Sequence, residues 1–147
     1  MIFDFGYRKP ESFLRILFRL YSLDGWISEV MNREDFKKRT KEYSLRVIRL
    51  VESLPEDRVS RILGDQLLRA GTSVGANYRS SIRAKSRADF ISKMNVVEEE
   101  CDESLYWMEL LIAAGKAAPG RLEALMQEGD EIVSIVVASI KTARSRA

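Results

Sequence analysis

The sequence predicts an all-α protein, an antiparallel up-down four-helix bundle with an N-terminal extension. Three observations lead there. Apolar residues recur at helical steps of three and four in successive stretches of residues 33–142. Only three prolines and eight glycines occur in 147 residues, and the β-branched residues are scattered. The connections between the periodic stretches are short, which favours antiparallel neighbours in an all-helical chain.

Residues 1–31 differ from the rest, being broken by Pro10, Asp24 and Gly25. A short amphipathic helix is expected over 12–23, with Phe13, Leu17 and Tyr21 on one side. Met31 opens a stretch that would itself make a good protein start. Residues 1–31 are therefore read as an appendage, either an over-extended gene start or an accessory helix, and 32–147 as the bundle domain.

The first core helix is expected over 33–54, its inward line formed by Phe36, Thr40, Tyr43, Val47, Leu50 and Leu54. Pro55 ends it and suits the first turn of the next helix, where a missing N–H costs nothing. The second helix is expected over 56–85, with Val59, Leu63, Gln66, Ala70, Val74 and Asn77 inward. Gly71 and Gly75 lower its propensity by about 1 kcal/mol each relative to alanine, so it is read as a helix that could bend or break there. Their small size also suits the close approach of another backbone. Neither belongs to a phosphate loop, because no Gly-Lys-Ser/Thr follows and no strand precedes.

Ser86-Arg87-Ala88-Asp89 has capping-box spacing and opens a third helix, expected to reach Ala114. Phe90, Met94, Val97, Cys101, Leu105, Met108 and Ile112 fall within an arc of about 80° at the helical period. Gly115 is the natural stop. The fourth helix is expected over 121–142, with Leu122, Leu125, Gly129, Ile132, Val136 and Ile140 inward, before a short basic tail over 141–147 that frays.

Composition removes much chemistry. With no histidine, Ser-His and Cys-His nucleophile pairs and the Glu-x-x-His sites of ferritin-like bundles are excluded. The single cysteine, Cys101, excludes an intrachain disulfide and a multi-cysteine metal site, and its place in the third seam makes it a small core hydrophobe. No stretch approaches the roughly 20 apolar residues of a membrane helix. Arg15 and Arg19 interrupt the apolar run near the N-terminus, making it a poor secretory leader, so a cytoplasmic location is expected. No catalytic residue, cofactor, metal or small-molecule substrate is expected.

The net charge of +2 conceals a segregation of signs. Residues 58–93 hold Arg58, Arg61, Arg69, Arg79, Arg83, Lys85, Arg87 and Lys93 against only two acids, and the following stretch to residue 131 is strongly acidic. On an uninterrupted helix the first five arginines share an arc of about 80°. Guanidinium forks suit phosphate, and such a stripe is an electrostatic footprint of nucleic-acid binding. All eight are candidate nucleic-acid-binding residues, and Lys37, Lys38 and Lys41 could extend the surface. The alternative is a solvated face, or one that pairs with acids of a neighbouring helix or subunit. The run Glu98-Glu99-Glu100 with Asp102 and Glu103 points around the helix and is read as a solvated or subunit-facing surface, since a metal site would need ligands from other helices. Tyr106, Trp107 and Leu110 lie beside the seam, as core periphery or as a subunit interface.

The segment from Gln66 through Arg69-Ala70-Gly71-Thr72-Ser73-Val74-Gly75-Ala76-Asn77-Tyr78-Arg79, with Ser86 to Lys93 and Val97 to Leu111, resembles the bacterial four-helix bundle proteins first noticed in intervening sequences of 23S ribosomal RNA genes. The resemblance covers residues 32–142. It implies an up-down bundle assembling into a ring-like homopentamer. It also implies kinship with the accessory variability determinant of diversity-generating retroelements, which partners a reverse transcriptase and its RNA through a basic surface. No catalytic motif comes with it. Two functions follow as expectations: a non-enzymatic oligomer that binds RNA or other nucleic acid through its basic face, or a protein–protein interaction scaffold.

Overall fold

The computed structural model describes residues 33–146; the extension expected at 1–31, its short helix and the domain boundary lie outside them. The described residues form four helices and no strand: α1 (Arg33–Glu52), α2 (Arg58–Ser81), α3 (Arg87–Ala113) and α4 (Pro119–Ser145). None of these helices is long and apolar enough to cross a membrane. Consecutive helices pack along one another, and α1 and α4 meet over a shorter stretch.

Named contacts fix the directions. Phe36 stacks edge-on against Tyr78, with ring centroids 4.7 Å apart; Ser44 donates to the Gly71 carbonyl at 3.1 Å; Val51 and Leu54 approach Gly64. Rising position in α1 therefore meets falling position in α2. Arg69 meets Glu100 while Lys116 meets Asp57 at 3.2 Å, so α2 and α3 are antiparallel as well. Cys101 donates its thiol to the Gly129 carbonyl at 3.4 Å, and Arg87 donates to the Arg146 carbonyl, which sets α3 against α4 in the same sense.

α1 carries Glu34 and Asp35 in its first turn and Arg49 in its last, matching the helix dipole. Its expected inward line is buried from Phe36 to Leu50, while Leu54, past the helix end, is half-buried. α2 starts on Asp57, whose carboxylate accepts from the Ser60 amide at 3.0 Å and the Ser60 hydroxyl at 2.8 Å. The Ser60 amide above all holds that carboxyl down at about 2.

α2 passes through Gly71 and Gly75 without a break. A Cβ on Gly71 would sit 2.7 Å from Val47 Cγ1, and one on Gly75 would sit 3.3 Å from the Thr40 carbonyl oxygen. The low intrinsic propensity is offset by packing that excludes a side chain at Gly71 and crowds one at Gly75. The inward line of α2 nevertheless differs from the expected one. Ser60, Gly64, Leu67, Ala70, Gly71, Val74, Tyr78 and Ser81 are buried, whereas Val59 is 46% exposed and Leu63, Gln66 and Asn77 are half-buried. α2 presents its smallest side chains to α1, so a search for bulky apolar residues selects a line displaced from the true one.

α2 also ends four residues earlier than expected. The amides of Ile82, Arg83 and Ala84 fold back onto the carbonyls of Tyr78, Ser80 and Ser81, and residues 82–86 turn into α3. Ser86 caps α3 by accepting from the Asp89 amide at 3.0 Å, and Asp89 reaches back to the Lys85 amide at 3.0 Å. At the far end Gly115 has φ +70°, while its amide and that of Lys116 bond to the carbonyls of Ile112 and Leu111, a Schellman motif. The buried line of α3 slips from Met108 to Leu111, leaving Ile112 half-buried, because the helical period is 3.6 rather than 3.5. Phe90, expected inward, is half-buried too.

α4 opens on Pro119, earlier than expected, and runs to Ser145, so most of the tail expected to fray is helical. Its inward line is buried throughout. In the centre Ser104 donates to the Cys101 carbonyl at 2.6 Å, which leaves its oxygen to accept from the Tyr43 hydroxyl at 2.7 Å. Burial pushes the Cys101 thiol up to about 12 and raises the Tyr43 phenol. Every buried side-chain nitrogen and oxygen among the described residues has a partner.

Candidate nucleic-acid interface

Arg58, Arg61, Arg69 and Arg79 stand on one exposed face of α2, as the continuous helix requires. Arg83 and Lys85 are exposed in the turn beyond it, and Arg87 opens α3. The stripe is not one strip of positive charge. Asp65, exposed, falls within the same arc between Arg61 and Arg69. Arg69 is committed to α3: its guanidinium bonds to Glu103 and lies 3.2 Å from Glu100. The bond to Glu103 raises the Arg69 pKa, and the same contact lowers that of Glu103. Lys93 pairs with Asp89 at 3.0 Å. Two of the eight candidates are thus in internal ion pairs: Arg69 because the antiparallel packing of α2 on α3 brings Glu100 and Glu103 alongside, and Lys93 because Asp89 stands one turn before it on α3.

The remainder separates into two groups. Arg58 and Arg61 sit at the start of α2, and Arg79 lies ~27 Å farther along at a rise of ~1.5 Å per residue. Around Arg79 charge accumulates. The starts of α1 and α3 and the ends of α2 and α4 share this end of the bundle, which joins Arg33, Arg144 and Arg146 to Arg79, Arg83, Lys85 and Arg87. Arg79, Arg83 and Lys85 make no ion pair with any described residue. The acids nearby are engaged: Glu34 with Lys37 at 3.7 Å, Asp89 with Lys93 and the Lys85 amide, and Asp35 with a partner of its own. The hydrogen bond donated by the Lys85 backbone amide is the main reason the Asp89 carboxyl lies below its ordinary range.

Sequence reasoning did not join Arg33, Arg144 and Arg146 to this cluster, although antiparallel order alone places them there. It also missed a centre on the α1–α4 side. Arg39 forks onto Glu128 through Nε at 2.6 Å and Nη2 at 2.9 Å, with a further bond to Glu131 at 2.5 Å. The Glu128 hydrogen bond above all raises the Arg39 pKa. Of the acidic run, Glu100 and Glu103 serve Arg69, and Glu103 also accepts from the Trp107 indole at 3.0 Å. No group of three acids and cysteines converges as a metal site among the described residues. Tyr106 stays 54% exposed with its ring centroid 5.0 Å from that of Trp107.

Four antiparallel helices around a core whose polar groups are tied up internally define the class as an all-α four-helix bundle. The family described as 23S rRNA-intervening sequence protein matches residues 33–138, and the chain belongs to that family. Among solved structures, a protein with unknown function from the S23 ribosomal protein family of Bacteroides thetaiotaomicron aligns with a TM-score of 0.71 at 34% identity, covering 76% of this chain and 99% of that one. No curated protein matches the chain.

Proposed function

We propose that this protein is a non-enzymatic homo-oligomer that binds RNA through the basic end of its bundle. The observation that carries the reading is the cluster of Arg79, Arg83, Lys85 and Arg87, exposed and lying in a stretch from Gln66 to Ala88 without a single acid. Cations held close together, with the nearby carboxylates already engaged, repel one another, and a polyanion relieves that repulsion. The absence of histidine throughout the sequence and the inert, buried Cys101 support a role without catalysis. Val59, Ile62 and Tyr106, apolar and half-exposed on the paired helices α2 and α3, support self-association. The pentamer implied by the sequence resemblance would repeat the basic end five times, so weak contacts would add through avidity. The cytoplasm, where RNA is accessible, is the proposed location.

The test is RNA retention by the double variant Arg79→Glu/Arg83→Glu. Retention is expected to fall at least tenfold with helicity unchanged, and the log–log salt slope to shrink by about 0.7 per lost phosphate contact on a single strand. Wild-type retention by that variant would remove the basic end from the reading. The scaffold alternative rests on the same exposed apolar residues. A protein complex that survives nuclease, keeps full strength in the arginine double variant and is lost in Tyr106→Glu would favour it.

A further inference from the structure

At the basic end lies a surface cavity of about 330 Å³, inside the range of roughly 300–1,000 Å³ typical of small-ligand sites. Its lining has two chemically distinct parts. Arg33 from the start of α1, Arg87 from the start of α3 and Arg146 from the end of α4 bring cationic side chains, and among the described residues no carboxylate lines it. Ile82, Ala84 and Phe90 supply an apolar part. Phe90 is the residue that the helical pattern assigns to the core, yet it remains half-buried beside this opening. Arg87 is held in place by its bond to the Arg146 carbonyl, which reduces the entropy a ligand would otherwise have to remove from that side chain.

A phosphate alone would use the arginines and leave the apolar part wet. A purely apolar ligand would desolvate three cations without compensation. A ligand that satisfies both halves carries a phosphate attached to a flat aromatic ring. We infer that this cavity binds one nucleotide unit, its phosphate toward Arg33 and Arg87 and its base against Phe90. Such a unit comes either from a strand or from a free nucleotide. The inference rests on the nucleic-acid reading above, shares Arg87 with it and adds Arg33 and Phe90. Unstacked bases on aromatic side chains are the usual means of single-strand recognition, so this site gives the basic end a preference for single-stranded over duplex RNA.

The full chain is titrated with uridine and adenosine 5′-monophosphates, with inorganic phosphate and with a single-stranded oligonucleotide, following the amide resonances of Ser86, Arg87 and Phe90. The monophosphates are expected to bind about tenfold more tightly than phosphate and to shift those resonances. Phe90→Leu, which keeps apolar bulk but not the aromatic face, is expected to reduce nucleotide affinity to that of phosphate with helicity unchanged. Arg33→Gln is expected to weaken both ligands. Equal affinity for phosphate and nucleotide, or no effect of Phe90→Leu, overturns the inference. Shifts produced by the oligonucleotide assign the site to a strand; shifts from monophosphates alone assign it to free nucleotides. Nucleotide binding that persists while Arg79→Glu/Arg83→Glu retains RNA normally would sink the polyanion reading and leave the cavity standing.

Discussion

Side chains in the middle of the bundle show how little slack the core has. Tyr43, Ser104 and Cys101 form a chain of hydrogen bonds in which Ser104 both accepts from the phenol and donates to a backbone carbonyl. Removing either end of the Tyr43–Ser104 bond is therefore unequal. Ser104→Ala leaves the buried Tyr43 hydroxyl only the weakly bonding Cys101 thiol, at about 1–3 kcal/mol, whereas Tyr43→Phe leaves Ser104 its carbonyl and costs about 1 kcal/mol or less. Urea denaturation of both variants checks the order, and equal losses would contradict the assigned donor directions. Asp57 offers a test by pH. Its folded carboxyl lies at about 2 against 3.8 for a free aspartate, so its contribution is fully present above pH 3.8 and is lost as pH falls through 2. Asp57→Ala is expected to melt below wild type at neutral pH, with a gap that narrows through that window and closes at its bottom. A gap independent of pH would mean that the capping carboxylate is not its cause.

At the scale of whole helices, the large apolar residues were good guides and the small ones were not. In α1 and α4 bulky residues face inward, and the expected lines are buried except for Leu54, past the end of α1. In α2 the inward face is Ser60, Gly64, Gly71 and Ser81 as much as Leu67 and Val74. A rule that seeks bulk settles on Val59 and passes over Ser60, because a close helix crossing selects for the absence of side chain. The same crossing explains why α2 stays unbroken where propensity allows a break. Gly71→Ala gains about 1 kcal/mol of helix propensity, but its Cβ would meet Val47 at 2.7 Å, and overpacking of a tight core costs ~1–3 kcal/mol. Net destabilisation is expected, and Val47→Ala in the same chain is expected to recover part of it. Thermal melts of the two single variants and the double give the coupling; a stabilising Gly71→Ala would mean that α1 and α2 are packed less closely than described.

For the molecule as a whole, charge placement follows from topology, which the sequence shows only indirectly. Reading positions 58–93 as one stripe put Arg69 and Lys93 with the free cations. Antiparallel packing pairs Arg69 with acids of α3, Lys93 pairs with Asp89 one turn away on its own helix, and the length of α2 leaves Arg58 and Arg61 remote from the cluster around Arg79. The same packing gathers Arg33, Arg144 and Arg146 at that end from the extremes of the described chain, a juxtaposition that no local window contains. Seven cations concentrated there oppose folding by mutual repulsion, in contrast to the paired centre at Arg39, Glu128 and Glu131. Added salt should therefore stabilise the fold, since exposed like charges are screened over a distance that shrinks to ~3 Å at 1 M. The melting temperature is expected to rise between about 0.05 and 0.5 M of a salt with weak specific effects. Arg79→Glu/Arg83→Glu should melt higher than wild type at the low end and respond less to salt, while losing RNA. Gain of stability together with loss of binding is the signature of a surface kept under strain for its ligand. If the double variant is less stable at low salt, the repulsion is absent and the basic end loses its physical reason to seek a polyanion.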